Sequence, residues 1–136
     1  MYNDIGDNMK VITIKEPYAS LIIEGYKEYE FRTRKTSYRG EIYIHTSIQS
    51  DKNAIEKYKN LNIKYNPGYI IGRVDITDCI LVDDEFKEVL RKKNSNHIYD
   101  NILKEEGKIY AFKVENNTRV KPIKTKGKLS IWNYEN

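Results

Sequence analysis

The residues from Tyr69 to Val82 constrain this chain most. Ile70, Ile71, Val74, Ile76, Ile80 and Val82 crowd into one segment with no proline, and β-branched residues at that density favour extended backbone. The segment reads as one long strand, or as two, with Gly72 as a bulge. Such a strand needs partners, and other segments offer them. Val11-Ile12-Thr13-Ile14 is β-branched throughout. Lys27 to Arg32 alternates, with Tyr29 and Phe31 on one face and Glu28, Glu30 and Arg32 on the other. Lys27 stands at that strand's entrance, so alternation does not fix its facing. Glu41 to His45 carries Ile42 and Ile44 on one side, Ile109 to Val114 alternates, and Arg119 to Ile123 supplies a further strand.

Between the strands lie helix signals. Pro17 suits a first helical turn, Tyr18, Leu21 and Ile22 fall on one apolar face, and Gly25 suits the position just past the end. Ser20 and Glu24 share another face, turned to solvent or a cleft. Ser50-Asp51 caps a helix running to about Asn60, Asn66-Pro67-Gly68 is a turn, and Asp83-Asp84 caps a helix ending near Arg91. Residues 92–108 hold loop and a short helix, and the basic stretch Thr33 to Arg39 is a loop or irregular arm. Residues 1–9 read as a polar lead-in and 10–136 as a single α+β domain. Five or six strands and a few short helices build it on a small mixed barrel.

Composition narrows the classes. A net charge of +4 permits phosphate binding without requiring it. Twelve tyrosines beside a mean hydropathy of −0.76 describe a polar surface on which tyrosine rings bury and their hydroxyls stay wet. Cys79 is the only cysteine, so no disulfide forms within the chain, which fits a reducing cytoplasm. Its place after an apolar run marks it as a buried structural thiol. No apolar stretch approaches the ~18 residues of a membrane helix, and no signal core is present at Met1-Tyr2-Asn3-Asp4. A cytoplasmic protein with no membrane partner is expected. Two histidines and one cysteine at unsuitable spacing argue against zinc, and neither metal nor cofactor is expected.

The string Ile14-Lys15-Glu16-Pro17-Tyr18-Ala19-Ser20-Leu21-Ile22, then Gly25-x-Lys27-x-x-Glu30-x-Arg32, Tyr38-Arg39-Gly40 and Ile44-His45-Thr46-Ser47, resembles the ASCH (activating signal cointegrator homology) domain. Ile70-Ile71-Gly72-x-Val74-x-Ile76-x-Asp78-Cys79 is similar to that family's central strand, and Lys126-Gly127-Lys128-Leu129-x-x-Trp132 to its closing motif. The resemblance spans nearly the whole chain, with residues 50–66 and 84–108 as its variable parts. It implies a PUA-like β-barrel with short helices beside a polar cleft. It also implies RNA or another nucleic acid as partner, since the family's members are mostly regarded as nucleic-acid-binding modules. Some small bacterial members hydrolyse N4-acetylcytidine, and ribonuclease activity is attributed to others, so membership alone does not separate binding from catalysis.

On this resemblance Lys27, Glu30 and Arg32 fall where the family's cleft is lined. Arg32 can grip a phosphate or base edge with two prongs, Glu30 can orient Arg32 or accept a base amino group, and Lys27 can meet a phosphate or act as a base if burial depresses its pKa. Their alternative reading is a solvated strand face with a surface ion pair. The hydrolytic members carry Gly-x-Lys-x-x-Thr with the threonine as nucleophile. Here that position holds Glu30, which supplies no hydroxyl, and nothing in the sequence places Ser20 or Ser47 within reach of Lys27. Binding is therefore expected ahead of hydrolysis, with Lys27 and Glu30 as the acid/base pair if the chain is an enzyme. Arg34, Lys35, Tyr38 and Arg39 form a basic arm that can track phosphates and stack a base, or is a solvated loop in which Arg39 is structural. Lys15, Tyr18, Ser20, His45, Ser47, Lys126 and Lys128 complete the expected interface. His45 is either an acid/base group or a strand-end histidine on backbone hydrogen bonds, and Trp132 reads as a core plug. RNA or a nucleotide is the expected partner, DNA is also compatible, and the sequence does not give the oligomeric state. A protein-interaction adaptor is a third reading, which needs an exposed apolar patch that the sequence does not display.

Overall fold

The computed structural model describes residues 9–135, so the lead-in expected over residues 1–9 lies outside it except for Met9, which opens the first strand. The long apolar segment forms one strand, β4 (Tyr69–Leu81), numbered by its place among six. It pairs antiparallel with β3 (Gly40–Thr46) on one side and β5 (Tyr110–Lys124) on the other. Beyond β3 lies β1 (Met9–Ile14), parallel to it, and then β6 (Ile131–Tyr134), antiparallel to β1. Beyond β5 lies β2 (Tyr29–Arg32), also antiparallel. The order is β2-β5-β4-β3-β1-β6.

Two expectations change here. The strands anticipated at Ile109–Val114 and Arg119–Ile123 are one continuous β5. The polar run between them, Glu115 to Thr118, is exposed, so its side chains stay solvated while the backbone continues the ladder. Between the pairs Arg73–Thr118 and Asp75–Glu115, β5 carries one residue more than β4, and Asn116 takes a positive φ of 57° within that bulge. Second, among the described residues no ladder joins the edge strands β2 and β6, so the sheet is open where a barrel was expected. Both edges are only four residues long. A side chain rather than a ladder ties β2 to β1: Arg32 Nη2 donates to the Thr13 carbonyl at 2.8 Å.

Helix α1 (Tyr18–Ile23) follows β1 and packs on the sheet with Ala19 to Ile23 all buried. Pro17 stands at its N-cap, one position earlier than expected, after a cis Glu16–Pro17 bond. Gly25, at φ 85°, donates its N–H to the Ile22 carbonyl and ends the helix. Gly72 lies under this helix: a Cβ there would meet Ile23 Cδ1 at 2.6 Å and the Thr118 carbonyl at 2.7 Å. Both aspartate caps form as expected. Asp51 accepts from the Ala54 amide at the start of α2 (Lys52–Lys57), and Asp83 accepts from the Phe86 amide at the start of α3 (Asp84–Lys92). Helix α2 stops short of Asn60, with a separate 3₁₀ turn at Lys59–Leu61. The undecided stretch 92–108 holds a 3₁₀ turn at Ser95–His97 and α4 (Asp100–Lys104).

The apolar residues divide into clusters that hold the helices and β2 in place around a polar hollow. One lies between α1 and the sheet, around Ile22, Ile44, Val74 and Phe112. A second joins Tyr29 of β2 to Tyr58, Phe86, Leu90 and Tyr99. Tyr29 meets Phe86 edge-on with centroids 5.2 Å apart, and the buried Tyr99 hydroxyl accepts the Glu28 amide at 2.9 Å. Those contacts anchor residues from α2, α3 and α4 against β2. Among the described residues no helix is long and apolar enough to cross a membrane.

Candidate functional site

Where β1 ends, β2 and helices α2 and α4 surround a cavity of about 710 Å³. The strand alternation of β2 explains its floor. Tyr29 turns into the aromatic cluster, and Glu30 turns the other way, toward Arg32 and Lys27. Lys27 precedes the strand, and its amide donates to the Leu21 carbonyl at 3.1 Å, so the end of α1 sets its position. Its side chain is only 6% exposed. The ammonium lies 3.5 Å from Glu30 Oε1, 5.3 Å from the Tyr18 ring centroid and 5.1 Å from that of Phe31. A carboxylate and two aromatic faces thus offset the cost of burying this cation.

Glu30 holds both cations. Arg32 Nε donates to Glu30 Oε2 at 2.9 Å, and Arg32 Nη2 reaches the same oxygen at 2.9 Å and the Thr13 carbonyl at 2.8 Å. Of the five guanidinium N–H groups, the two on Nη1 remain for a ligand. Glu30 takes one proton of the Lys27 ammonium and leaves the others. Burial holds the Lys27 pKa below the ordinary lysine value, against the opposing pull of the Glu30 charge. Around this floor the lining carries Lys15, Lys57, Asp51, Tyr18 and Tyr58. Cations therefore outnumber carboxylates four to two across the cavity. The Tyr18 hydroxyl donates to Asp51 Oδ2 at 2.7 Å while Asp51 Oδ1 caps α2. That bond lowers the Asp51 pKa and, with burial as the larger cause, raises that of Tyr18.

Of the residues singled out in the sequence, Lys15, Tyr18, Lys27, Glu30 and Arg32 come together here. Arg34 and Lys35 do not line this cavity; with Arg32 they border a second groove of about 290 Å³ between β2 and β6. The rest of the arm folds back on itself. Arg39 Nη1 donates to the Thr36 and Tyr38 carbonyls while the side chain stays exposed, and the Tyr38 hydroxyl donates to the Glu41 carbonyl.

The other expected interface residues lie outside this cavity. Ser20 faces neither solvent nor cleft: it is buried, its hydroxyl donates to Glu16 Oε2 at 2.6 Å, and its amide donates to Oε1 at 2.8 Å. All but the first residue of α1 is buried, so Ser20 meets a buried carboxylate, while Glu24 just past the helix is exposed as expected. Glu16 is wholly buried, and burial raises its pKa. His45 is buried and satisfied on both ring nitrogens. Its Nε2 lies 2.7 Å from the Thr125 carbonyl and must donate, so Nδ1 accepts from Thr13 Oγ1 at 3.2 Å, which in turn accepts from Trp132 Nε1 at 3.0 Å. Burial lowers its pKa, keeping the imidazole neutral in this chain of bonds. Lys126 and Lys128 are exposed but line neither hollow; Gly127 between them passes so close over His45 that a Cβ would meet the ring at 2.8 Å. Ser47 sits on the loop after β3, accepting from the Gln49 amide. Neither serine lines the cavity. Cys79 is half-buried against the core rather than fully enclosed.

Asp51, Lys57, Tyr58, Ile98 and Asn101 line the cavity without having been singled out. Asp51 carried a signal, but one for helix capping. Tyr58 and Ile98 reach the cavity through the aromatic cluster, and Lys57 and Asn101 stand on α2 and α4.

A family model for the ASCH domain matches residues 12–124. No curated protein sequence matches the chain. Among solved structures, ASCH from Zymomonas mobilis aligns with a TM-score of 0.55 at 18% identity, covering 86% of this chain and 73% of that one. A serine-to-alanine variant of that protein aligns at 0.54 and 19% identity, covering 88% and 77%. At that identity the likeness carries the fold. The family match, over most of the chain, carries membership: this protein belongs to the ASCH domain family.

Proposed function

We propose that the chain binds single-stranded RNA by taking one nucleotide into the cavity floored by Lys27, Glu30 and Arg32. The buried charge chain carries this reading. A buried ion pair gives little net stability, because desolvation consumes most of the Coulombic gain. Lys27 and Glu30 are nonetheless both almost enclosed, and together with Arg32 they leave N–H donors directed at a hollow wide enough for a ligand. Arg32 Nη1 and the Lys27 ammonium suit a phosphate or a base carbonyl, and the Tyr18 and Tyr58 rings on the wall suit a base plane. The excess of cations favours an anionic ligand. The test is binding of labelled single-stranded RNA at low and moderate salt, with DNA of the same sequence beside it. Salt-sensitive RNA binding that Arg32→Ala abolishes is expected; absence of binding at low ionic strength refutes the proposal.

A second reading rests on Lys27. Burial favours its neutral amine, which is the form a general base requires, and Glu30 adjoins it. In this reading the chain hydrolyses a modified nucleoside or RNA with water as nucleophile, since Glu30 stands where the hydrolytic members have threonine. Incubation with N4-acetylcytidine and with labelled RNA tests it. Turnover that survives Lys27→Ala, or no turnover, removes it.

A further inference from the structure

We infer that the groove between β2 and β6 is a second nucleotide subsite, so that the chain recognises an RNA strand of at least two nucleotides rather than a free nucleoside. The inference rests on the reading of the first cavity as a nucleotide site, and it names the class of ligand that such a site takes.

Among the described residues no ladder joins β2 to β6, and the groove lies between them. Its floor is apolar, made by Ile12 of β1, Phe112 of β5 and Ile131 of β6. Its rim carries Arg32, Arg34 and Lys35, and no carboxylate lines it. Among the described residues neither Arg34 nor Lys35 enters an ion pair, whereas Arg39 of the same arm bonds its own Thr36 and Tyr38 carbonyls and Tyr38 bonds the Glu41 carbonyl of β3. An apolar floor beneath cations that have no carboxylate partner among the described residues matches one ligand chemistry well: a flat base lying on hydrocarbon with its phosphate at the rim. The volume of about 290 Å³ stands at the lower end of small-ligand pockets, fitting one base and not a larger group.

Arg32 joins this groove to the first cavity, for its side chain lines both. With Nε and Nη2 held by Glu30 and the Thr13 carbonyl, the guanidinium is fixed between the two hollows and still 29% exposed. A phosphodiester spanning two nucleotides would cross at that point. One base then enters each hollow, and Arg34 and Lys35 take the phosphate on the far side.

The experiment compares affinities for a nucleoside monophosphate, a dinucleotide and a tetranucleotide, using the wild type, the Arg34→Ala/Lys35→Ala double variant and Lys35→Glu. Both altered positions are exposed, and circular dichroism confirms that each variant is folded. For the tetranucleotide, the double variant should bind on the order of tenfold more weakly, with a salt slope smaller by about 1.4, at roughly 0.7 per lost cation on a single strand. Lys35→Glu should weaken it further. Monophosphate affinity should fall less than tetranucleotide affinity in every variant. Unchanged tetranucleotide affinity and slope in both variants overturn the second subsite while leaving the first intact, as would equal wild-type affinity for the monophosphate and tetranucleotide. No wild-type binding of any of the three overturns both.

Discussion

Replacing Glu30 by glutamine keeps the shape of the cavity floor and removes its only shared counter-charge. The wild-type carboxylate is 10% exposed and stands between Lys27, 6% exposed, and Arg32. Removing one partner of a buried pair costs about 3–5 kcal/mol, because the other charge stays buried and unpaired. Two features reduce that. Arg32 is partly solvated and keeps the Thr13 carbonyl, and Lys27 can release its proton instead of staying charged. Each unit by which its pKa falls further corresponds to about 1.4 kcal/mol of lost interaction, and the loss stops growing once that pKa passes below the solution pH. A loss of about 2–4 kcal/mol at pH 7 is expected for Glu30→Gln. The sign with pH follows from the lowered Lys27 pKa. Between the folded value and the ordinary 10.5, the unfolded chain binds more protons than the folded one, so stability rises with pH through that window. Glu30→Gln lowers the folded value again and extends the window downward. Urea unfolding from pH 7 to 9.5 on wild type, Glu30→Gln, Lys27→Met and the double variant measures this. Tyrosine titration begins at the top of that range and cancels in the differences between variants. The defect of Glu30→Gln should shrink as pH rises and should largely vanish in the Lys27→Met background. A pH-independent loss below about 0.5 kcal/mol would refute the shared buried charge.

Other substitutions test neighbouring parts of the structure. Gly72→Ala should cost about 1–3 kcal/mol in chemical unfolding, because the added Cβ has no room between Ile23 and the Thr118 carbonyl. Ser20→Ala removes the hydroxyl that donates to the buried Glu16 carboxylate; about 1–3 kcal/mol of stability should be lost with RNA affinity unchanged, and lost affinity in a stable variant would return Ser20 to the interface. Asp51→Ala should cost about 1–2 kcal/mol as a lost cap, with further loss from the unpaired Tyr18 hydroxyl. Because the Asp51 pKa is lowered, its contribution is present above 3.8 and fades as pH falls through the folded value, so wild type and Asp51→Ala should converge in acid unfolding.

What the sequence revealed, and what it hid, divides by range. Asp51 and Asp83 were readable as caps because a side chain bonding an amide three residues on is a local event. Gly72 was readable as a special position, although its reason, a helix packed over it, was not. Glu30 and Arg32 fell on one face by alternation alone, while Lys27, outside the strand, needed the end of α1 to place it. Ser20 misled because helical spacing tells which residues share a face but not what the face meets. His45 and Trp132 are bound through Thr13, a residue without any motif, across separations of 32 and 119 positions. Tyr58 and Ile98 reach the cavity by aromatic packing from segments whose polarity suggested only surface.

The central claim is that the Lys27–Glu30–Arg32 floor receives RNA. Its most direct test is the affinity of a short single-stranded RNA for wild type and for Lys27→Met across a salt series, with unfolding curves confirming that both proteins are folded. The expected result is a linear fall of log K with log salt for the wild type, and an affinity at least on the order of tenfold lower for the variant at every salt concentration. Equal affinities for the two folded proteins, or wild-type binding that salt does not weaken, would contradict it.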